Sequence, residues 1–74
     1  MKVYFISGEL IAVDHIETVR TDRGSCVVQM VSGRIQAYDF LDPSHASLMR
    51  SDIFKLMASP EQNIFVESEL ELKR

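Results

Sequence analysis

Three glycines stand at corners in the first half of the chain, in Ser7-Gly8, Asp22-Arg23-Gly24 and Ser32-Gly33, and each separates two runs rich in β-branched or aromatic residues. Glycine supplies the positive φ that tight hairpin turns require, and β-branched and aromatic side chains suit a pleated, half-buried surface. Residues 2–6, 10–20, 25–31 and 34–40 therefore read as consecutive strands joined by hairpins.

The runs differ in pattern. In the third, Cys26, Val28 and Met30 face one side while Val27, Gln29 and Val31 face the other, so both faces are largely apolar and the strand reads as central. The fourth sets Ile35 and Ala37 against Arg34, Gln36, Tyr38 and Phe40, a half-exposed alternation. Between Ile11 and Val19 the apolar spacing mixes two and three, which predicts a bulge or a short helical turn around residues 14–17.

The chain changes character at Asp42-Pro43. Asp42 is a good N-cap, and Pro43 fits the first helical position, where its missing N–H is no loss. Ala46, Met49, Ile53, Leu56 and Met57 then recur at helical spacing, and Ser59-Pro60 stops the helix because the residue before proline is pushed out of helical geometry. Beyond it, Ile64, Val66, Ser68, Leu70 and Leu72 alternate with Phe65, Glu67, Glu69, Glu71 and Lys73, which predicts a last strand with an apolar face and an acidic face. The expected fold is α+β: a four-stranded antiparallel meander, one helix packed across it, and a fifth strand that closes the sheet or pairs with a neighbouring subunit.

The 74 residues allow one domain, spanning residues 1–74. A domain of this size buries only about 60% of the surface its unfolded chain exposes, so it gains from a staple or a partner. One cysteine, Cys26, and two histidines, His15 and His45, supply neither an internal disulfide nor a metal cage, which leaves a partner subunit. The lone thiol favours a reducing compartment. After Met1 and Lys2 the apolar run stops at Ser7-Gly8-Glu9, too short for a signal peptide core or a membrane span, so the expected location is the cytoplasm.

Catalysis finds little support in the residue pattern. His15 lies in Asp14-His15-Ile16-Glu17, where successive strand residues point to opposite faces, and Cys26 lies in a run that reads as buried. His45, in the first helical turn, takes a neutral surface role. No nucleophile elbow, phosphate-cradling loop or zinc-binding helix is present in the sequence, so no cofactor, metal or small-molecule substrate is expected.

Two groups of residues suit contact with another protein. The row Glu67, Glu69 and Glu71 can meet a basic surface, and Leu48 and Phe54 fall at the edge of the helix's apolar stripe, where they widen it into an exposed patch. Arg20, Arg23 and Arg34 with Tyr38, and with Tyr4 and Phe40 beside it, make an alternative nucleic-acid surface, in which aromatic side chains stack bases and the arginines hold phosphate. A net charge of −3 weighs against that alternative.

In spacing, the stretch Ile16-Glu17-x-Val19, the turn at Gly24, the valine-rich run, Ser32-Gly33 and the run after it resembles several small bacterial β domains. Flagellar regulators and LytTR DNA-binding domains are among them, though neither accounts for the acidic carboxy-terminal run. The functional expectation is a non-enzymatic regulatory module of adaptor or inhibitor type. Its size is one common among phage and mobile-element proteins, and its partner is another protein, a second copy of itself included.

Overall fold

The structure, a computed structural model, describes residues 1–73. It is an α+β domain with strands β1 (Val3–Ile6), β2 (Glu9–Ala12), β3 (Ile16–Asp22), β4 (Ser25–Met30), β5 (Ile35–Asp39) and β6 (Ile64–Glu67) and one helix, α1 (His45–Ala58). The strands form two three-stranded sheets, one ordered β2-β1-β6 and one ordered β3-β4-β5.

The three glycine corners are hairpins. Ser7 and Gly8 both have positive φ, as do Arg23 and Gly24, the two-residue turn geometry that matches the twist of the flanking strands. Gly24 is held twice over, because its φ is +84° and a Cβ there would meet the Cβ of Pro43 at 3.1 Å.

The expected single meander divides into two sheets within the second run. Ala12 is followed by one 3₁₀ turn, Val13–His15, and β3 begins at Ile16 with a register shift between Ile16 and Thr18. Val13 turns its side chain into the core, and its N–H donates to the carbonyl of Lys2. A helical turn and a bulge thus both occur where the apolar spacing became irregular, and together they redirect the chain into a second sheet. β4 is central, as its two apolar faces predict, with Cys26 and Val28 wholly buried.

The last strand departs further from expectation. It lies parallel to β1, with Val3 opposite Ile64 and Ile6 opposite Glu67, and ends after four residues. Its faces are also reversed: Phe65 and Glu67 turn towards the interior, and Ile64 and Val66 are exposed. Phe65 decides this, because its ring stacks on Tyr4 at 5.4 Å and 4°. The alternation then slips, so that Leu70 and Leu72 pack on the core while Glu69 and Glu71 face outward. Phe40 and Leu72 form an isolated antiparallel bridge, and Lys73 N–H donates to Asp39 O at 2.7 Å, so the tail joins β6 of the first sheet to the edge of the second.

The helix buries Ala46, Met49, Ile53 and Leu56 as its spacing predicts, whereas Met57 is exposed. Asp42 serves the entry turn: its carboxylate accepts from the N–H and hydroxyl of Ser44, and regular α geometry follows from His45. At the far end Ser59 leaves helical geometry ahead of Pro60, and the Lys2 ammonium donates to the carbonyls of Ser59 and Gln62. That contact ties the helix exit to β1. The core lies where the inner faces of both sheets meet α1: Tyr4, Ile6 and Ile11 come from the first sheet, Cys26, Val28, Tyr38 and Phe40 from the second.

Candidate protein-contact site

α1 packs on β3 and β4, and β3 is an edge strand paired with β4 alone among the described strands. Along this edge the helix and strand leave an open groove of about 460 Å³, with Ile16, Val19, Ile53, Phe54 and Met57 among its walls. Phe54 is 68% exposed, the largest exposure of any aromatic side chain among the described residues. Arg50 and Glu17 bring one charge of each sign to the rim, and Ser47, Ser51 and Thr18 complete a polar border.

The groove forms for local reasons. Edge strands are commonly shielded by charge or bulges. Here the bulge at Glu17 shifts the register of the strand, and α1 meets the edge beside its buried stripe, where Phe54 and Met57 lie exposed. Leu48 is exposed too, but six residues from Phe54 puts it about 120° around the helix, and it does not line the groove.

The carboxylates of the acidic row are separated. Glu67 Oε2 accepts from the Tyr4 phenol at 3.1 Å and Glu67 Oε1 accepts from the Glu69 N–H at 3.1 Å, so this side chain is occupied within the fold. Glu69 and Glu71 remain exposed beyond the end of β6. Asp52 of α1 meets Glu67 from the other side: burial, followed by its contact with Glu67, pushes the Asp52 carboxyl up to about 6. Burial and Glu67 likewise raise the Tyr4 phenol far above its usual range.

The residues of the nucleic-acid alternative are not gathered. Arg20 and Arg23 lie at or near the β3-β4 turn, and Arg34 follows the turn at the opposite end of β4. The stacking residues of that alternative, Tyr4, Tyr38 and Phe40, are all buried; Tyr38 is only 4% exposed and donates to Gln36 Oε1 at 2.7 Å, and burial is the main cause that pushes its phenol up to about 12. The reason is parity: β5 turns Gln36 and Tyr38 inward and Ile35 and Ala37 outward.

Cys26 is fully buried, and burial pushes its thiol up to about 11. His15 is exposed in the 3₁₀ turn, and His45 lies 3.5 Å from the Asp42 carboxylate with its ring edge-on to Phe40. Among the described residues no group of three or more histidine, cysteine or acidic side chains is placed to hold a metal ion, and no helix is long and apolar enough to cross a membrane.

A second surface was not legible in the chain pattern. Paired residues on adjacent strands project to the same face, and the register of the first sheet sets Leu10, Phe5 and Val66 in one outward row and Ala12, Val3 and Ile64 in the next. All six are apolar. Leu10 is 61% exposed, Ile64 and Val66 64% each, and Phe5 37%. Compared with known protein families, with curated proteins and with solved structures, the chain matches none.

Proposed function

We infer that this chain is a binding module of adaptor or inhibitor type that acts on another protein by contact, taking an extended apolar segment of that partner along the open edge of β3. One observation carries the reading: an unpaired strand edge and an apolar groove coincide at the same place. A segment laid beside β3 satisfies the edge's free N–H and carbonyl groups. Its alternate side chains then enter the groove between Ile16, Val19 and Phe54, while the others stay in water.

Main-chain hydrogen bonds give such a mode affinity, and the groove gives it selectivity for apolar residues two apart in the partner. Phe54 is the anchor, because an exposed aromatic side chain offers large contact area at little loss of freedom. The lone buried thiol fits a reducing compartment, and the cytoplasm is the place proposed for the module.

The test is selection of short peptides from a random display library, followed by amide shift mapping of one selected peptide on the labelled protein. Shifts are expected along Ile16–Asp22 and on the helix face of Arg50, Phe54 and Met57, and Phe54→Ser should weaken binding at least about tenfold, the loss of roughly 1.4 kcal/mol. Shifts confined to other surfaces, or unchanged affinity in Phe54→Ser, overturn the reading. A single-stranded oligonucleotide titrated in parallel supplies the competing outcome, since salt-sensitive binding lost on replacing Arg20, Arg23 and Arg34 would assign the surface to nucleic acid instead.

A further inference from the structure

We propose that the outer face of the β2-β1-β6 sheet is the interface of a two-fold dimer of this chain. The two sheets present different outer faces to their surroundings. In the second sheet the register sets Asp22, Ser25 and Asp39 in one row, Arg20, Val27 and Ala37 in another, and Thr18, Gln29 and Ile35 in a third, so every row carries polar or charged side chains. That is the composition of a sheet face in contact with water. The first sheet has Leu10, Phe5 and Val66 in one row and Ala12, Val3 and Ile64 in the other, with no polar atom in any of the six side chains.

Shape, area and charge identify a second copy as the occupant. The central strand lies low, with Val3 partly buried and Phe5 the least exposed of the four large exposed residues, and both flanking strands stand higher, β6 through Ile64 and Val66 and β2 through Leu10, with Ala12 the one small side chain of the six. Such a face complements itself: a two-fold rotation about an axis along β1 sets β6 of each copy over β2 of the other, Ile64 over the small Ala12 and Val66 over Leu10, so that all six side chains are covered. An isologous contact of this kind needs the same patch on both subunits and nothing else.

The exposed part of the six residues is roughly 500 Å² per copy, so a pair removes about 1,000 Å² from water, the threshold for a specific interface and the range of reversible dimers. A single extended strand of a partner, about 4.8 Å across and laid along β1, would cover only part of the three-strand width. Neither row offers a charge to select an oppositely charged protein, so the recognition chemistry is apolar throughout. Each chain carries a net charge of −3, and screening that repulsion should tighten the pair as salt rises, opposite to a contact held by ion pairs.

The interface is distinct from the β3 groove, and a dimer built on it leaves both grooves open. Sedimentation equilibrium on the whole chain is expected to show a concentration-dependent shift from 8.4 kDa towards twice that mass, with a dissociation constant on the order of tens of micromolar. Leu10→Asp and Val66→Asp should each weaken the dimer roughly a hundredfold by placing a carboxylate in an apolar contact. Ile35→Asp, on the outer face of the second sheet, should leave it unchanged, as should Phe54→Ser in the groove.

A mixture of isotope-labelled and unlabelled wild-type protein gives a reading independent of any variant, with intermolecular contacts expected between the methyl groups of Val66 and those of Leu10. A mass that stays at 8.4 kDa up to millimolar concentration overturns the dimer. Intermolecular contacts on another surface overturn it equally. Peptide binding in the groove is read separately, so either proposal can fail while the other stands.

Discussion

The Tyr4 phenol donates to Glu67 Oε2 at 3.1 Å while its ring stacks on Phe65 at 5.4 Å, so one side chain of β1 holds two neighbouring positions of β6. Parallel pairing alone is a modest tether for a four-residue strand; the aromatic contact and the charge-assisted bond together fix its register and its inward face. Tyr4→Phe keeps the stack and removes the bond, leaving Glu67 part-buried with one donor fewer. The expected loss is about 1–2 kcal/mol of unfolding free energy, measured by urea titration, with β6 amides losing hydrogen-exchange protection before those of β4.

Asp52 adds a pH dependence with a definite sign. Its folded carboxyl is pushed up to about 6, first by burial and then by Glu67 and Glu69, against the partial relief of Lys55. A folded pKa above the unfolded value means that the folded state binds the proton more tightly, so this group's contribution is fully present below about pH 4 and lost as pH rises through about 6. Discounted for the solvent that reaches the carboxyl, the effect is on the order of 1 kcal/mol. Asp52→Asn should therefore stabilise the domain at pH 7 and change little at pH 4.5, as read by paired urea titrations. A variant equally stable to wild type at both values would show that burial and Glu67 do not disfavour the Asp52 carboxylate in the fold.

Gly24 and Gly8 both have positive φ, yet they differ in what surrounds them. A Cβ at Gly8 meets nothing within 4 Å, whereas at Gly24 it meets Pro43 at 3.1 Å. Gly8→Ala should therefore carry the conformational penalty alone, about 1 kcal/mol, and Gly24→Ala about 2 kcal/mol or more, because the β3-β4 turn must move away from the entry of α1. Thermal unfolding of the two variants measures the difference directly, and equal losses would mean that the turn and Pro43 are not in contact.

Cys26 is a probe of global opening. Its thiol is wholly buried and pushed up to about 11 by that burial, so at neutral pH it is a protonated core group. Labelling by a thiol reagent should be slow under native conditions, accelerate in proportion to urea-induced unfolding, and show no fast phase. A fast native phase would place Cys26 at an accessible site instead.

Much of this was legible in the residues. The corners at Gly8, Gly24 and Gly33, the central position of β4, and the stripe Ala46, Met49, Ile53 and Leu56 follow from local geometry, and local geometry is what short-range patterns encode. The division into two sheets was not, because the turn Val13–His15 carries neither glycine nor proline and lies inside one continuous run. Phe54 was visible at the edge of its stripe, while the groove beside it depends on where β3 meets α1. The apolar outer face was hidden by its own composition: the strand residues Val3, Tyr4, Phe5 and Ile6 are apolar on both faces, so alternation gives no parity, and the pairing of β1 with β6 spans most of the chain.

Phe65 and Val66 offer the sharpest check on that hidden parity, since they are adjacent, both apolar and turned to opposite faces. Phe65 packs against the core and stacks on Tyr4, so Phe65→Ser removes a large ring from a partly buried site and should lower stability by about 2–3 kcal/mol. Val66→Ser removes a side chain that is mostly in water in the single chain, and at concentrations too low for self-association it should change stability by less than about 1 kcal/mol. At high concentration the ranking should narrow, because Val66 then lies in the proposed dimer contact and its loss weakens association as well. Urea titrations at two protein concentrations separate the two effects, and a larger loss for Val66→Ser than for Phe65→Ser in dilute solution would show that β6 presents its other face to the core.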